Sequence, residues 1–214
     1  MLFYLTFVLS YFGFSLYTFN IDVIRETNIE LRNENVDKYN MALSTVFKNV
    51  CIYSIPAFVL INLFYIPPEF NLLWCGICLI LNIYLPNPLF YFSHRYFHSN
   101  KTLYEYHRVH HEFKIPIGMA SAYTHPIDFI FGNMLPLGLP LILLQCDVYT
   151  ILILLVLGNY STIVEEHSNY SSHNHHLLHH IYSNCNYGDT MIDTIMGTLR
   201  TKKNIIIIKN ENID

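Results

Sequence analysis

The sequence predicts an all-α membrane protein, with about five transmembrane helices and a cytoplasmic cap of histidine-rich helices. The 214-residue chain is 52% hydrophobic and only 13% charged, which is unlike a soluble domain. All twelve histidines lie between His94 and His180, while the apolar runs extend along most of the chain. The formal net charge of −4 provides no basic surface for nucleic acid, so nucleic-acid binding is excluded.

Five apolar runs predict the membrane helices, since a helix rises about 1.5 Å per residue and the hydrocarbon core is about 30 Å thick. They are Met1–Phe19, Val50–Ile66, Phe70–Phe92, Pro126–Leu144 and Val148–Val164. The first run has no basic residue before it and no clear small-residue cleavage site after it, which favours a retained anchor over a cleaved signal peptide. Pro67-Pro68 ends the second run, and Pro86-Asn87-Pro88 predicts that the third kinks or restarts just before His94. The short link Gln145–Asp147 predicts a helical hairpin.

The basic residues predict the orientation of these spans. All twelve lie in three polar segments, 20–49, 93–123 and 165–214. Because Lys and Arg concentrate in cytoplasmic loops, five spans with the N-terminus outside would place every histidine cluster in the cytoplasm. We predict two parts of the chain, an N-terminal anchor with a polar connector (1–49) and a membrane-embedded domain (50–214). The isoleucine run 205–208 is too short to form another span.

The histidines recur at helical spacings. His94 and His98 are four residues apart, and the pattern His-x-x-His-His occurs at 107–111 and again at 176–180. In a helix such spacings place imidazoles on one face. Imidazole suits iron, copper and zinc, whereas magnesium and calcium prefer oxygen ligands. The number of histidines exceeds what one ion needs, so the sequence predicts a polynuclear metal site; the alternative is compositional bias.

Seven segments occur in an order that resembles a known family. They are His94-Arg95-x-x-His98, Leu103-Tyr104-x-x-His107-Arg108-Val109-His110-His111-Glu112-Phe113-Lys114-x-Pro116-Ile117-Gly118, Tyr123-Thr124-His125-Pro126-Ile127-Asp128, His167-Ser168, His176-x-x-His179-His180, Asn186-Tyr187-Gly188 and Asp193-x-x-x-Gly197-Thr198. Together they resemble the fatty acid hydroxylase superfamily, and most closely its 4-methylsterol oxidase branch. The resemblance covers roughly half of the chain.

The resemblance implies a multi-pass enzyme of the endoplasmic-reticulum membrane that oxidises an unactivated C–H bond of a sterol or related lipid. It implies two irons per chain, O2 as co-substrate, and electrons from NAD(P)H through a cytochrome of the b5 type and its reductase. The metal ligands that it implies are His94, His98, His107, His110, His111, His125, His167, His176, His179 and His180. Asp128 stands where the family has an acidic residue, and it would either orient a ligand imidazole or lie at the membrane interface.

Several residues depart from the family pattern. Leu177 replaces an acidic or polar residue, Asn169 replaces a glycine, Ile192 replaces an aromatic residue, and the tract His167–His176 is shorter than expected. The short tract is expected to line the substrate entrance, so a fatty acyl or sphingolipid hydroxylase remains an alternative. An inactive homologue and a histidine-rich membrane metal-binding protein remain as alternatives of another class. A transporter should carry its ligands at mid-membrane, whereas these histidines lie at or beyond the ends of the predicted spans.

Overall fold

The computed structural model describes residues 1–24, 36–168 and 175–201, and it confirms the all-α class. The middle of the predicted connector (25–35), most of the short tract between the last histidines (169–174) and the tail with its isoleucine run (202–214) lie outside the described residues. His173 is among them.

The described chain forms ten α-helices, which we number in order. They are α1 Leu2–Ile24, α2 Val36–Lys48, α3 Ile55–Phe64, α4 Leu72–Tyr84, α5 Pro86–Ser99, α6 Lys101–His107, α7 Leu135–Leu143, α8 Val148–Tyr160, α9 His175–Tyr182 and α10 Thr190–Ile195. Three π-helical segments (Asn49–Tyr53, Asp128–Met134 and Ser161–Glu166) and two 3-10 turns (His110–Glu112 and Gly118–Ala122) complete it.

The described helices include four stretches that are long and apolar enough to cross a membrane, as expected of a multi-pass membrane protein. They are Leu2–Phe19, Asn40–Phe64, Leu72–Ser99 and Val148–Glu166. The fourth predicted run corresponds to a shorter apolar helix, Asp128–Leu143. Large apolar side chains such as Leu9, Leu63 and Leu157 are exposed. Such a surface suits contact with lipid rather than water.

Local sequence signals explain where the helices begin and end. Pro86 opens α5, as proline does in a first helical turn, and this confirms the restart predicted before His94. Asn100 ends α5 and caps α6, because its side chain accepts hydrogen bonds from the backbone N–H groups of Thr102 and Leu103. The chain therefore turns sharply at Asn100. As a result the histidines of α5 face His107 at the end of α6 and His111 after it.

Two of the spans contact the segment that precedes His125. From α1, the Tyr11 hydroxyl donates to the carbonyl of Met119 at 2.7 Å. The Asn49 amide donates to the carbonyls of Ala122 and Thr124, each at 2.8 Å. Helix α1 also packs along α8. The anchor and the domain are thus in contact, and the boundary at residue 49 remains a prediction about domain organisation.

Candidate metal centre

Nine of the ten histidines expected as ligands converge in two adjacent groups. Within each group one ring nitrogen per residue lies within 4.8 Å of the others. The five-histidine group contains His94, His98, His107, His111 and His179. The four-histidine group contains His110, His167, His176 and His180. Both ends of the short tract, His167 and His176, lie in the same group, with ring centroids 4.7 Å apart.

Neighbouring residues divide between the groups. The rings of His110 and His111 enter different groups, and so do those of His179 and His180, with centroids 5.8 and 6.1 Å apart. In α9 the spacing of four brings the Nε2 atoms of His176 and His180 to 3.1 Å. Each His-His pair contributes one ring to each group, so the positions of the two groups are linked through the backbone of these pairs.

Most of the rings are fixed by an acceptor at Nδ1. Nδ1 of His94 lies 2.7 Å from the carbonyl oxygen of Tyr187, and that of His179 lies 2.6 Å from the carbonyl oxygen of Cys185. In the four-histidine group, Nδ1 of His167 lies 2.6 Å from the carbonyl oxygen of Thr162. His110 and His180 contact the carbonyls of Tyr123 and Phe113 in the same way, at 3.3 and 3.0 Å. A carbonyl oxygen only accepts, so each of these Nδ1 atoms carries the proton and each Nε2 presents a lone pair.

Asp128 fixes a further ring. Its Oδ2 accepts from Nδ1 of His107 at 2.8 Å and also from the Thr124 hydroxyl, and the carboxylate is buried. A Cβ on Gly132 would overlap Asp128 Oδ1, so glycine leaves the space that this carboxylate occupies. Of the two roles considered for Asp128, this contact favours the orientation of an imidazole that is expected as a ligand, and that role stays a prediction. Such outer partners fix the tautomer and raise the basicity of the ligand.

When these rings are neutral, each group therefore contains a pair of Nε2 atoms that face each other without a proton between them. In the five-histidine group they belong to His94 and His107, 3.1 Å apart. In the four-histidine group they belong to His110 and His167, 3.4 Å apart. Two lone pairs at these distances repel each other, and a cation that both nitrogens bind removes the repulsion.

The spacing of the nitrogens also fits a metal ion. Two nitrogens bound at about 2.0–2.1 Å to one ion, at about 90–110°, would be roughly 2.9–3.4 Å apart. In the five-histidine group, five pairs of Nε2 atoms are 3.0–3.2 Å apart. In the four-histidine group, two pairs are 3.1 and 3.4 Å apart. The donor set and its spacing therefore fit one ion in each group.

Burial favours the neutral imidazoles that metal binding requires. Burial, followed by the proximity of the other imidazoles, lowers the pKa of His110, His176, His179 and His180 well below the usual value. Burial also lowers the pKa of His167 to about 4. At neutral pH these rings are therefore unprotonated and available as ligands.

His125 is the expected ligand that lies outside both groups. Its ring stacks on Tyr106, with centroids 4.3 Å apart, and its Nδ1 accepts from the backbone N–H of Ile127 at 3.2 Å. His125 lies in the chain between Thr124 and Asp128, whose side chains are hydrogen-bonded to each other. His175, which was not expected as a ligand, lies 3.1 Å from Asp193 Oδ2.

The backbone acceptors are the part of the site that the residue pattern did not identify. The carbonyls of Cys185 and Tyr187 flank Asn186, which has a left-handed backbone with φ 57°. The signal that could have found them is the segment Asn186-Tyr187-Gly188, because Asn and Gly tolerate such turn conformations. No side-chain chemistry in the segment indicates that its carbonyls contact the rings of His94 and His179.

The fold and the site define a multi-pass membrane protein with a histidine-rich centre that could hold metal ions. The family model described as fatty acid hydroxylase matches residues 79–198, which is more than half of the chain. The chain belongs to the fatty acid hydroxylase family, whose members are membrane enzymes that hydroxylate or oxidise lipids. The expected family is thereby confirmed.

Three relatives illustrate the similarity. A fatty acid hydroxylase domain-containing protein 2 from Macaca fascicularis is 34% identical over 116 residues, covering 49% of this chain and 34% of the relative. Methylsterol monooxygenase 1 from Rattus norvegicus is 34% identical over 125 residues, covering 50% and 41%. A delta(7)-sterol 5(6)-desaturase from Gibberella zeae is 31% identical over 149 residues, covering 62% and 44%. The matched region thus spans less than half the length of each relative. No solved structure matches the chain.

Proposed function

We propose that the chain is a membrane lipid monooxygenase that holds two irons and oxidises an unactivated C–H bond of a sterol or related lipid, in the manner of a 4-methylsterol oxidase. The observation that carries the proposal is the pair of facing Nε2 atoms in each histidine group, at a spacing that fits a bound ion. Similarity to a methylsterol monooxygenase and to a sterol desaturase supports the sterol class of substrate.

The ligands in this proposal are the nine histidines of the two groups, and His125 is left out because its ring lies against Tyr106. Bound iron would supply the redox chemistry that dioxygen activation needs, which zinc, having no redox chemistry, does not. The protein's part is to keep the rings neutral and oriented. Carbonyl acceptors hold several of them, and Asp128 holds His107.

The reaction requires one O2, two electrons and two protons for each hydroxylation. The C–H bond is replaced by C–OH, and the second oxygen atom leaves as water. We infer that NAD(P)H supplies the electrons through a cytochrome of the b5 type and its reductase. We also infer that the chain resides in the endoplasmic-reticulum membrane with its histidines on the cytoplasmic face. The grouping of Lys and Arg in the polar segments supports this orientation.

The position of the centre relative to the spans supports an enzyme over a transporter. His94 and His98 lie in the last turns of the span Leu72–Ser99, and His167 directly follows Val148–Glu166. A transport site is expected near the bilayer midplane. A site at the span ends can instead receive a lipid that enters from the apolar surface and a soluble donor that approaches from the water side.

A reconstituted assay tests the proposal. The purified chain in lipid nanodiscs is supplied with ferrous iron, NADH, cytochrome b5, its reductase and isotopically labelled O2, with a 4-methylsterol or a fatty acyl lipid as substrate. We expect an oxidised sterol carrying one labelled oxygen, and none with the His110→Ala variant. Product from the acyl lipid alone would support the fatty acyl or sphingolipid alternative. An iron-loaded chain that oxidises neither lipid would contradict the proposed reaction.

A further inference from the structure

The carboxylate of Asp193 is completely buried in α10, and both of its oxygens are occupied. Oδ1 accepts from the backbone N–H of Tyr187 at 3.0 Å and from the Thr198 hydroxyl at 2.5 Å. Oδ2 accepts from the backbone N–H of Gly188 at 2.8 Å and lies 3.1 Å from Nε2 of His175. A buried charge needs such donors to offset its lost hydration. No Lys or Arg is among the described partners of this carboxylate.

The backbone that Asp193 fixes also holds metal-ligand candidates. The backbone N–H of Tyr187 donates to Asp193. The backbone carbonyl of the same residue accepts from Nδ1 of His94. Two residues earlier, the carbonyl of Cys185 accepts from Nδ1 of His179. Asp193 therefore stabilises a loop that orients one ligand from α5 and one from α9.

A second connection leads from Asp193 to the start of α9. The His175 ring faces the carboxylate, and the His175 carbonyl accepts from the Asn186 amide at 3.0 Å. Helix α9 carries His176 and His180 of the four-histidine group and His179 of the five-histidine group. A displacement of this first turn would change the direction of ligands in both groups.

We propose that Asp193 is a positioning residue for the whole centre, which acts through the Tyr187 backbone on His94 and through His175 on α9. This inference rests on the proposed metal centre. Asp193 touches neither the ligand nitrogens nor any reacting atom. Its role is to hold the loop 185–188 and the first turn of α9 in the arrangement that both histidine groups require.

The Asp193→Asn variant tests this role, because an amide replaces one oxygen with an NH2 group. Each oxygen accepts from a backbone N–H, of Tyr187 at Oδ1 and of Gly188 at Oδ2, so either orientation of the amide places its NH2 group against a donor. The control is Asp189→Asn, which affects the same helix. The Asp189 side chain accepts from the N–H of Ile192 at 2.8 Å and from Asn87, and neither residue holds a histidine.

The measurement is an anaerobic titration of the full chain in detergent with cobalt(II), which follows the visible absorption bands that depend on ligand geometry. We expect Asp193→Asn to weaken cobalt binding by about 10–100-fold and to change the bands, in line with other outer-shell substitutions. Asp189→Asn should lower the thermal midpoint but keep the affinity within about twofold of the unmodified chain. Unchanged affinity and bands in Asp193→Asn, or equal losses in both variants, would overturn the inference.

A second pair of variants serves if Asp193→Asn is not recovered folded. Thr198→Val removes one donor to the carboxylate, and Thr198→Ser retains the hydroxyl. We expect a smaller band shift in the valine variant and its rescue in the serine variant; equal behaviour of the two would overturn the inference. If the unmodified chain binds no cobalt, that result contradicts the proposed metal centre itself, and with it this inference.

Discussion

The two histidine groups share one framework but differ in exposure and in what holds them. All four members of the four-histidine group are buried, whereas His98 makes the five-histidine group partly accessible. The five-histidine group relies on a carboxylate, Asp128, and on the loop that contains Tyr187. The acceptors found for the four-histidine group are all backbone carbonyls. The accessible group can therefore be altered through side chains around it, while the buried group is set mainly by the path of the backbone.

We expect the largest effect, loss of turnover and of one iron, when a ligand is removed. Adjacent histidines belong to different groups, so two neighbouring substitutions can be compared. His110→Ala removes a ligand from the four-histidine group, and His111→Ala removes one from the five-histidine group. We expect each variant to lose turnover and to fall from about two bound irons to about one, since a metal needs its full ligand set. Iron content by mass spectrometry, paired with the product assay, measures this. Full iron content in either variant would place that residue outside the centre.

Asp128→Asn should affect the two groups unequally. The amide removes the negative charge opposite His107, and we expect about 10–100-fold weaker binding of one ion. Binding of the other ion should change little, because no member of the four-histidine group uses Asp128 as its Nδ1 acceptor. Stepwise titration with ferrous iron separates the two events. Equal weakening of both would show that the groups cannot be treated separately.

The space beside Asp128 gives a prediction about stability. In Gly132→Ala the new methyl group would meet the carboxylate, and we expect a loss of about 1–3 kcal/mol in unfolding free energy and weaker binding of the ion in the five-histidine group. Gly138→Ala is the control, since a Cβ there meets nothing within 4 Å. Thermal unfolding in one detergent compares them. If both variants lose stability equally, the contact with Asp128 is not the cause.

The smallest effect is expected at His125. Its ring stacks on Tyr106, so His125→Ala should keep both irons and lose only the stacking contact. The iron content of His125→Ala, compared with that of His110→Ala, decides whether His125 is a ligand, as the family resemblance implies, or lies outside the centre. Loss of one iron would restore His125 to the ligand set.

The sequence predicts the helical class well because long apolar runs and proline positions act locally. Pro86 marks the restart of a helix, and the His-x-x-His-His motifs identify most of the site. The number of spans is harder to predict from the sequence. The run 126–144 contains a π-helical segment and forms a shorter apolar helix than its composition suggests. The assignment of each histidine to a group could not be predicted either. It depends on how α5, α9 and the turn at 110–112 pack, and spacing within one helix does not encode that.

The direct test of the central claim is the number of metal ions that the unmodified chain binds. The chain, purified in detergent and supplied anaerobically with ferrous iron, should retain about two irons after unbound iron is removed. His110→Ala and His111→Ala should each retain about one. Two irons in the unmodified chain, reduced by either substitution, is the result that the structure predicts. One iron or fewer in folded preparations, unaffected by the substitutions, would contradict a centre built from both histidine groups.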